Sequence, residues 1–193
     1  MKTSDKRIGM AALAKSSGFT MVELMMTIAI GSIVLMLAVP SFRYVTNSNR
    51  IAAEINGLLG DLQFARAEAI KEGQTVTVCV STTGTACTGG PAWEGGWIVF
   101  SDPTNTAVVG AGGVLRVQKP FSGTDTFTAS PNTLTSVTFN REGYAGGIAN
   151  GTLIALHALN DSTNVWTRCL TLNLVGQITT EMVNVTTNGA TCT

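Results

Sequence analysis

Residues 19 to 39 read FTMVELMMTIAIGSIVLMLAV, 21 residues in which Glu23 is the one charged side chain. At 1.5 Å per residue a helix over this run covers about 30 Å, the thickness of a bilayer core. Lys2, Lys6, Arg7 and Lys15 precede it against a single acid, Asp5. The positive-inside rule therefore holds residues 1 to 18 in the cytoplasm and sends the chain after the run outward. A conventional secretory signal also begins with a basic region and an apolar run, but is cut after that run, here at small residues such as Ala38. Two features weigh against that cut. The run exceeds the usual signal core of about 7–15 residues, and helical signals continue beyond it. Residues 19 to 39 are expected to remain as a transmembrane helix.

Glu23 is the informative residue of the run. A carboxylate in hydrocarbon costs about 3 kcal/mol on insertion scales and normally has a partner. Nothing basic lies within a helical turn or two on its C-terminal side. One reading is an acid at the membrane end that snorkels to the headgroups. The other is a cut after Gly18, which would create a cation at the α-amine of Phe19, four residues before Glu23.

The stretch Gly18-Phe19-Thr20-Met21-Val22-Glu23-Leu24, followed by the apolar run and Pro40, closely resembles the prepilin signature of type IV pilins and type II secretion pseudopilins. In that pattern Gly precedes the cut, Phe follows it, and Glu is the fifth mature residue; all three match. The resemblance implies cleavage between Gly18 and Phe19 by a prepilin peptidase, N-methylation of Phe19, and pairing of Glu23 with the terminal amine of a neighbouring subunit. Anchoring in the inner-membrane lipid, a periplasmic head and passage into a filament of pilin or pseudopilin subunits follow from it.

Beyond Pro40, the residues Ile51, Ile55, Leu58, Leu62, Ala65 and Ala69 recur at spacings of three and four. That is one face of an amphipathic helix, with Arg43, Arg50, Asp61, Arg66, Glu68 and Lys71 mainly off the stripe. The spacing predicts one helix from about Phe19 to Glu72, interrupted or kinked at Pro40 and stopped at Gly73. Its two parts are residues 19–39 and 40–73. Gly31 and Ser32 suit close helix approach or are simply tolerated small residues.

After Gly73 the period changes to two. Strands are predicted at Thr75 to Val80, Gly96 to Phe100, Val114 to Val117, Leu134 to Phe139, Thr152 to Leu159, Arg168 to Leu174 and Gln177 to Val183. Ser101 to Gly113 and Lys119 to Pro131 read as exposed loops. The fold class is α+β, a long N-terminal helix against antiparallel sheets, with residues 74–193 as the head. The runs LQFARAEAIKEGQTVTVCVS, WEGGWIVFSD and VTFNREGYAGG resemble the GspH/FimT family of pseudopilins and minor pilins. This implies a pilin-like fold with two small sheets on the helix, in a low-copy subunit near a filament tip.

An exported head lies in an oxidising compartment, where four cysteines favour disulfides. Of three connectivities, Cys79–Cys87, across a tight turn, and Cys169–Cys192, tying down the C-terminus, are preferred. Chain entropy assigns loops of these sizes about 2.5 and 3.5 kcal/mol. Zinc is the rival, but the spacings lack a C-x₂₋₄-C pair and the single histidine, His157, has no ligand-like neighbour. His157 sits in an apolar strand and reads as a sheet residue. No G-x-S-x-G elbow and no GKS or G-x-G-x-x-G phosphate loop is present, so neither an enzyme nor a cofactor is expected. Trp93 and Trp97 read as sheet packing ahead of a surface patch.

The charge balance bears on nucleic acid. Charged residues make up 12% of the chain, against a norm of roughly 25%. Without residues 1 to 18, eight bases face eleven acids, the wrong sign for non-specific phosphate contact. DNA-binding members resembling FimT carry Gly-Arg-x-Arg near the C-terminus; Gly176-Gln177-Ile178-Thr179 stands here without either arginine. A DNA-binding minor pilin for transformation is thus the second reading, behind a structural subunit that helps initiate or cap a pilus or secretion pseudopilus.

Overall fold

The computed structural model describes residues 18–193 apart from positions 111, 122, 124, 131, 149–151, 158–165, 183–185, 188–189 and 192–193. Two compact units are present, one ending at Arg43 and the other beginning at Tyr44. Helix α1 (Met21–Glu72) belongs to both. Its backbone stays helical across Pro40, so the predicted interruption does not occur. A proline deletes one N–H from the ladder, and flanking turns can hold the remaining bonds. The helix ends where Gly73 adopts φ +67°, a left-handed stop that a side chain would oppose.

In the second unit, the spacing of apolar residues on α1 decides what is buried. Ile51, Ile55, Leu58, Leu62, Ala65 and Ala69 are each at most 3% exposed. They form one core with residues from two antiparallel sheets. The first sheet contains β1 (Val76–Val80), β2 (Trp97–Ser101), β3 (Val114–Gln118), β5 (Ser136–Phe139) and β6 (Ala145–Gly146), in the order β3-β2-β1-β5-β6. The second contains β4 (Thr126–Ser130), β7 (Thr152–His157), β8 (Arg168–Leu172) and β9 (Ile178–Met182), in the order β4-β7-β8-β9.

The first sheet carries apolar layers on both faces at β1 and β2. Val76, Val78 and Val80 enter the main core. The alternate residue Cys79 joins Ile98 and Phe100 in a smaller cluster that also takes in Cys87, Val109 and Val114. The period-two strand thus feeds two separate apolar layers.

All seven predicted strands are present with ends shifted by one or two residues, β2 and β3 each running one residue further than expected; the last residues predicted for two others, 158–159 and 183, lie outside the described residues. The segment from Lys119 to Pro131 is not simply an exposed loop. It contains β4, which pairs with β7 from Thr126↔His157 to Ser130↔Leu153 and turns Phe127 and Ala129 into the core. Its sequence, TFTAS, offers only two inward residues, one of them small, so the alternation is faint. The segment from Ser101 to Gly113 also differs from expectation at its start. Ser101 closes β2, and Asp102 is 1% exposed.

Candidate functional site

The start of α1 is built by Thr20. Its Oγ1 accepts the Glu23 N–H at 3.2 Å, and its carbonyl accepts the Leu24 N–H at 3.1 Å. Thr20 is therefore the N-cap and Glu23 the third helical residue, the spacing of a T-x-x-E capping box. The T-x-x-E spacing is a purely local sequence signal for this cap. A carboxylate in the first turn also complements the helix dipole.

From Met21 to Val39 the helix is apolar and exposed around its circumference, and it is long and apolar enough to cross a membrane. Its hydroxyls are already spent: Thr27 Oγ1 donates to Leu24 O and Ser32 Oγ to Ala29 O, each at 2.8 Å. Such internal satisfaction is what hydrocarbon demands. Among the described residues, the Glu23 carboxylate is the polar side chain of this span left without a hydrogen bond or ion pair.

In the second unit, polar side chains of α1 tie the helix to the sheets. Asp61 accepts Trp97 Nε1–H at 2.9 Å and pairs with Arg116 Nη1 at 3.0 Å. The Arg116 guanidinium also lies 3.8 Å from the centre of the Phe64 ring, a cation–π contact. Arg50 meets the buried Asp125 at 2.8 Å. Burial first, then the negative Asp125, pushes the nearby Glu54 carboxyl above its ordinary range, with Arg50 opposing them.

Trp93 and Trp97 are fully buried, as packing required, and Trp93 Nε1–H donates to Leu134 O. Cys79 and Cys87 form a disulfide. Cys169 is buried in β8 and disulfide-bonded, while Cys192 lies outside the described residues. His157 is the last residue of β7; its side chain, like residues 1–17, lies outside the described residues.

The position of the missing Gly-Arg-x-Arg is a turn from Asn173 to Gln177. Its Gly176 has φ +74°, and a Cβ there would sit 2.2 Å from Gly143 O. Arg66 donates from Nε to Gly143 O at 3.0 Å and from Nη2 to Val175 O at 3.1 Å. The guanidinium at this turn comes from the helix and is engaged with two carbonyls. Among the described residues, no group of three or more His, Cys, Asp or Glu is placed to hold a metal ion.

A family model described as Type II transport protein GspH matches residues 54–176. This chain belongs to the GspH family. A second model, the prokaryotic N-terminal methylation motif, matches residues 13–39. Among solved structures, the Pseudomonas aeruginosa (strain PAO1) type IV minor pilin FimU is similar in fold in two crystal forms. The P21 form has a TM-score of 0.53 at 19% identity and covers 72% of this chain and 92% of that one. The P65 form has a TM-score of 0.50 at 19% identity, covering 69% and 91%. No curated protein matches the sequence.

The GspH match runs from the second half of α1 through β8 to Gly176, so it includes the buried stripe from Ile55 onward and most of both sheets. The methylation motif includes Gly18, Phe19, Glu23 and the apolar span. As a GspH-family chain with a pilin-like fold and a methylation motif, this protein is a minor pilin or pseudopilin, built to assemble with other pilin-type subunits. The family is structural rather than enzymatic.

Proposed function

We propose that this GspH-family subunit is anchored in the inner membrane with its head in the periplasm, and that it helps initiate or cap a type IV pilus or secretion pseudopilus. A prepilin peptidase removes residues 1–18, Phe19 is N-methylated, and residues 19–39 stay in membrane lipid until the subunit enters a filament. The observation that carries this reading is the unpartnered Glu23 carboxylate on a span whose hydroxyls are satisfied internally.

Cleavage after Gly18 creates a positive amine next to the positive end of the helix dipole, an unfavourable pairing by itself. Glu23, one turn away, opposes both charges. In a filament its partner is the Phe19 amine of a neighbouring subunit. Leaving one member of such a pair alone in a low-dielectric setting costs about 3–5 kcal/mol, so only registers that join the two are stable. Pro40 permits a bend between the anchor and the stripe under the sheets. A second disulfide, Cys169–Cys192, secures the C-terminus.

Mass spectrometry of the N-terminal peptide of the membrane-embedded protein tests the processing. The expected peptide begins at Phe19 and carries one added methyl group. A peptide beginning just after Ala38 would replace this reading with an ordinary secretory signal.

A further inference from the structure

Beside the outer face of the first sheet, away from α1, lies a groove of about 390 Å³. Its floor comes from β5 and β6, one wall from the segment after Asp102, and the other from the turn that carries Tyr144. Among the described residues, no charged side chain lines it. We infer that this groove is a binding subsite for a neutral, polyhydroxylated ligand, a glycan chain of pyranose units.

The wall after Asp102 is held in an uncommon conformation. Asn105 and Ala107 have φ +53° and +54°, a region most side chains disfavour. Asp102 fixes it, accepting the N–H groups of Thr106 and Ala107 at 3.0 and 2.8 Å and the Thr77 hydroxyl at 3.0 Å. The carboxylate is consumed by those donors and presents no free charge to the groove. On the opposite wall, Asn140 Oδ1 accepts the N–H groups of Glu142 and Tyr144 at 3.1 and 2.8 Å. Both walls are therefore set by side chains bonded to backbone.

What the walls leave over is chemically specific. Among the described residues, the Asn105 amide, the Ser136 hydroxyl, the Tyr144 hydroxyl and Asn140 Nδ2 make no hydrogen bond. Tyr144 is 53% exposed. Amides and hydroxyls offer donors and acceptors side by side, and a tyrosine adds a flat apolar face with a polar tip. A pyranose ring is the complement: hydroxyls that donate and accept around its rim, with a C–H face to lie on the aromatic ring. An ion would leave its charge uncompensated. A peptide strand would need a longer free edge than β6, which is two residues long and whose Ala145 N–H already donates to Leu174 O. The volume falls in the range of about 300–1,000 Å³ typical of ligand sites.

The test uses the mature full-length protein in zwitterionic detergent, because glycoside detergents display the same chemistry as the ligand. Cellotriose, maltotriose and chitotriose are titrated separately, with binding followed by calorimetry and by saturation-transfer NMR. At least one should bind saturably. Tyr144→Ala should weaken it by about tenfold, the loss of a stacking face and a hydrogen bond together. Asn105→Ala should weaken it by about fivefold, the equivalent of one hydrogen bond. Val117→Ala, on β3 and outside the groove, should leave it unchanged, and near-ultraviolet circular dichroism checks that each variant is folded. Failure of all three sugars to bind overturns the inference. So does binding that Tyr144→Ala and Asn105→Ala leave intact, or burial of Tyr144 by a neighbouring subunit in assembled filaments.

Discussion

Residues 21–39 and residues 51–69 lie on one helix, yet their apolar side chains meet different surroundings. In the first stretch they point in every direction, stay exposed and cover a length matched to a bilayer. In the second a stripe from Ile51 to Ala69 is buried in the core with the strands, and Leu59 and Phe64 beside it are partly buried against that core. The backbone is the same in both, so the period of apolar residues decides what each half packs against. Polar groups follow suit. Thr27 and Ser32 satisfy themselves within the helix, whereas Arg50, Asp61 and Arg66 reach across to other elements.

The sharpest way to break this comparison is to make the same truncation in each half. Leu62→Ala should cost the head about 2–5 kcal/mol, read from urea unfolding by the fluorescence of the buried Trp93 and Trp97. Leu35→Ala, at an exposed position, should leave that transition where it was. Equal losses would mean that the two halves are not separate in what they stabilise.

A smaller effect tests whether the head has supports independent of the helix. Cys79→Ser combined with Cys87→Ser opens a loop with a sequence separation of 8 and should cost about 2.5 kcal/mol. Filament entry through residues 19–39 should be unaffected. Reduced incorporation by a folded double variant would show that the two regions are coupled.

The smallest effect is one of pH. Burial raises the Glu54 carboxyl above its usual value of 4.5, with Asp125 adding to the rise. The folded chain therefore holds this proton to higher pH than the unfolded chain. The stability it contributes is complete below the usual value and is lost as pH rises through the folded one. Glu54→Gln should flatten that decline, giving a small gain in urea midpoint at about pH 7 and little change at about pH 4. A gain of equal size at both values would point to packing instead of charge.

Much of this arrangement was legible beforehand. The stripe from Ile51 to Ala69 is visible because a helix repeats its contacts every three or four residues. The Cys79–Cys87 pairing is visible because its loop is short. The strand Thr126–Ser130 was missed because Thr, Ala and Ser carry little apolar contrast and only Phe127 marks the inner face. The ties Asp61–Trp97, Asp61–Arg116 and Arg50–Asp125 join residues 36, 55 and 75 positions apart; one sequence holds no local signal for such pairs. At the functional end, Glu23 stood out through its cost in hydrocarbon. The cap made by Thr20 is equally local, but its T-x-x-E spacing stands at the edge of an apolar run whose membrane signal dominates that of a helix start.

The central claim is that residues 19–39 exist for assembly and that Glu23 sets their register. The direct measurement is the fraction of Glu23→Ala protein recovered in sheared filaments, beside the fraction processed at Phe19 and inserted in the membrane. Processing and insertion should match the unaltered chain, while incorporation falls by about tenfold or more, as expected when a buried charge loses its partner. Incorporation at the normal level, with processing intact, would contradict the account.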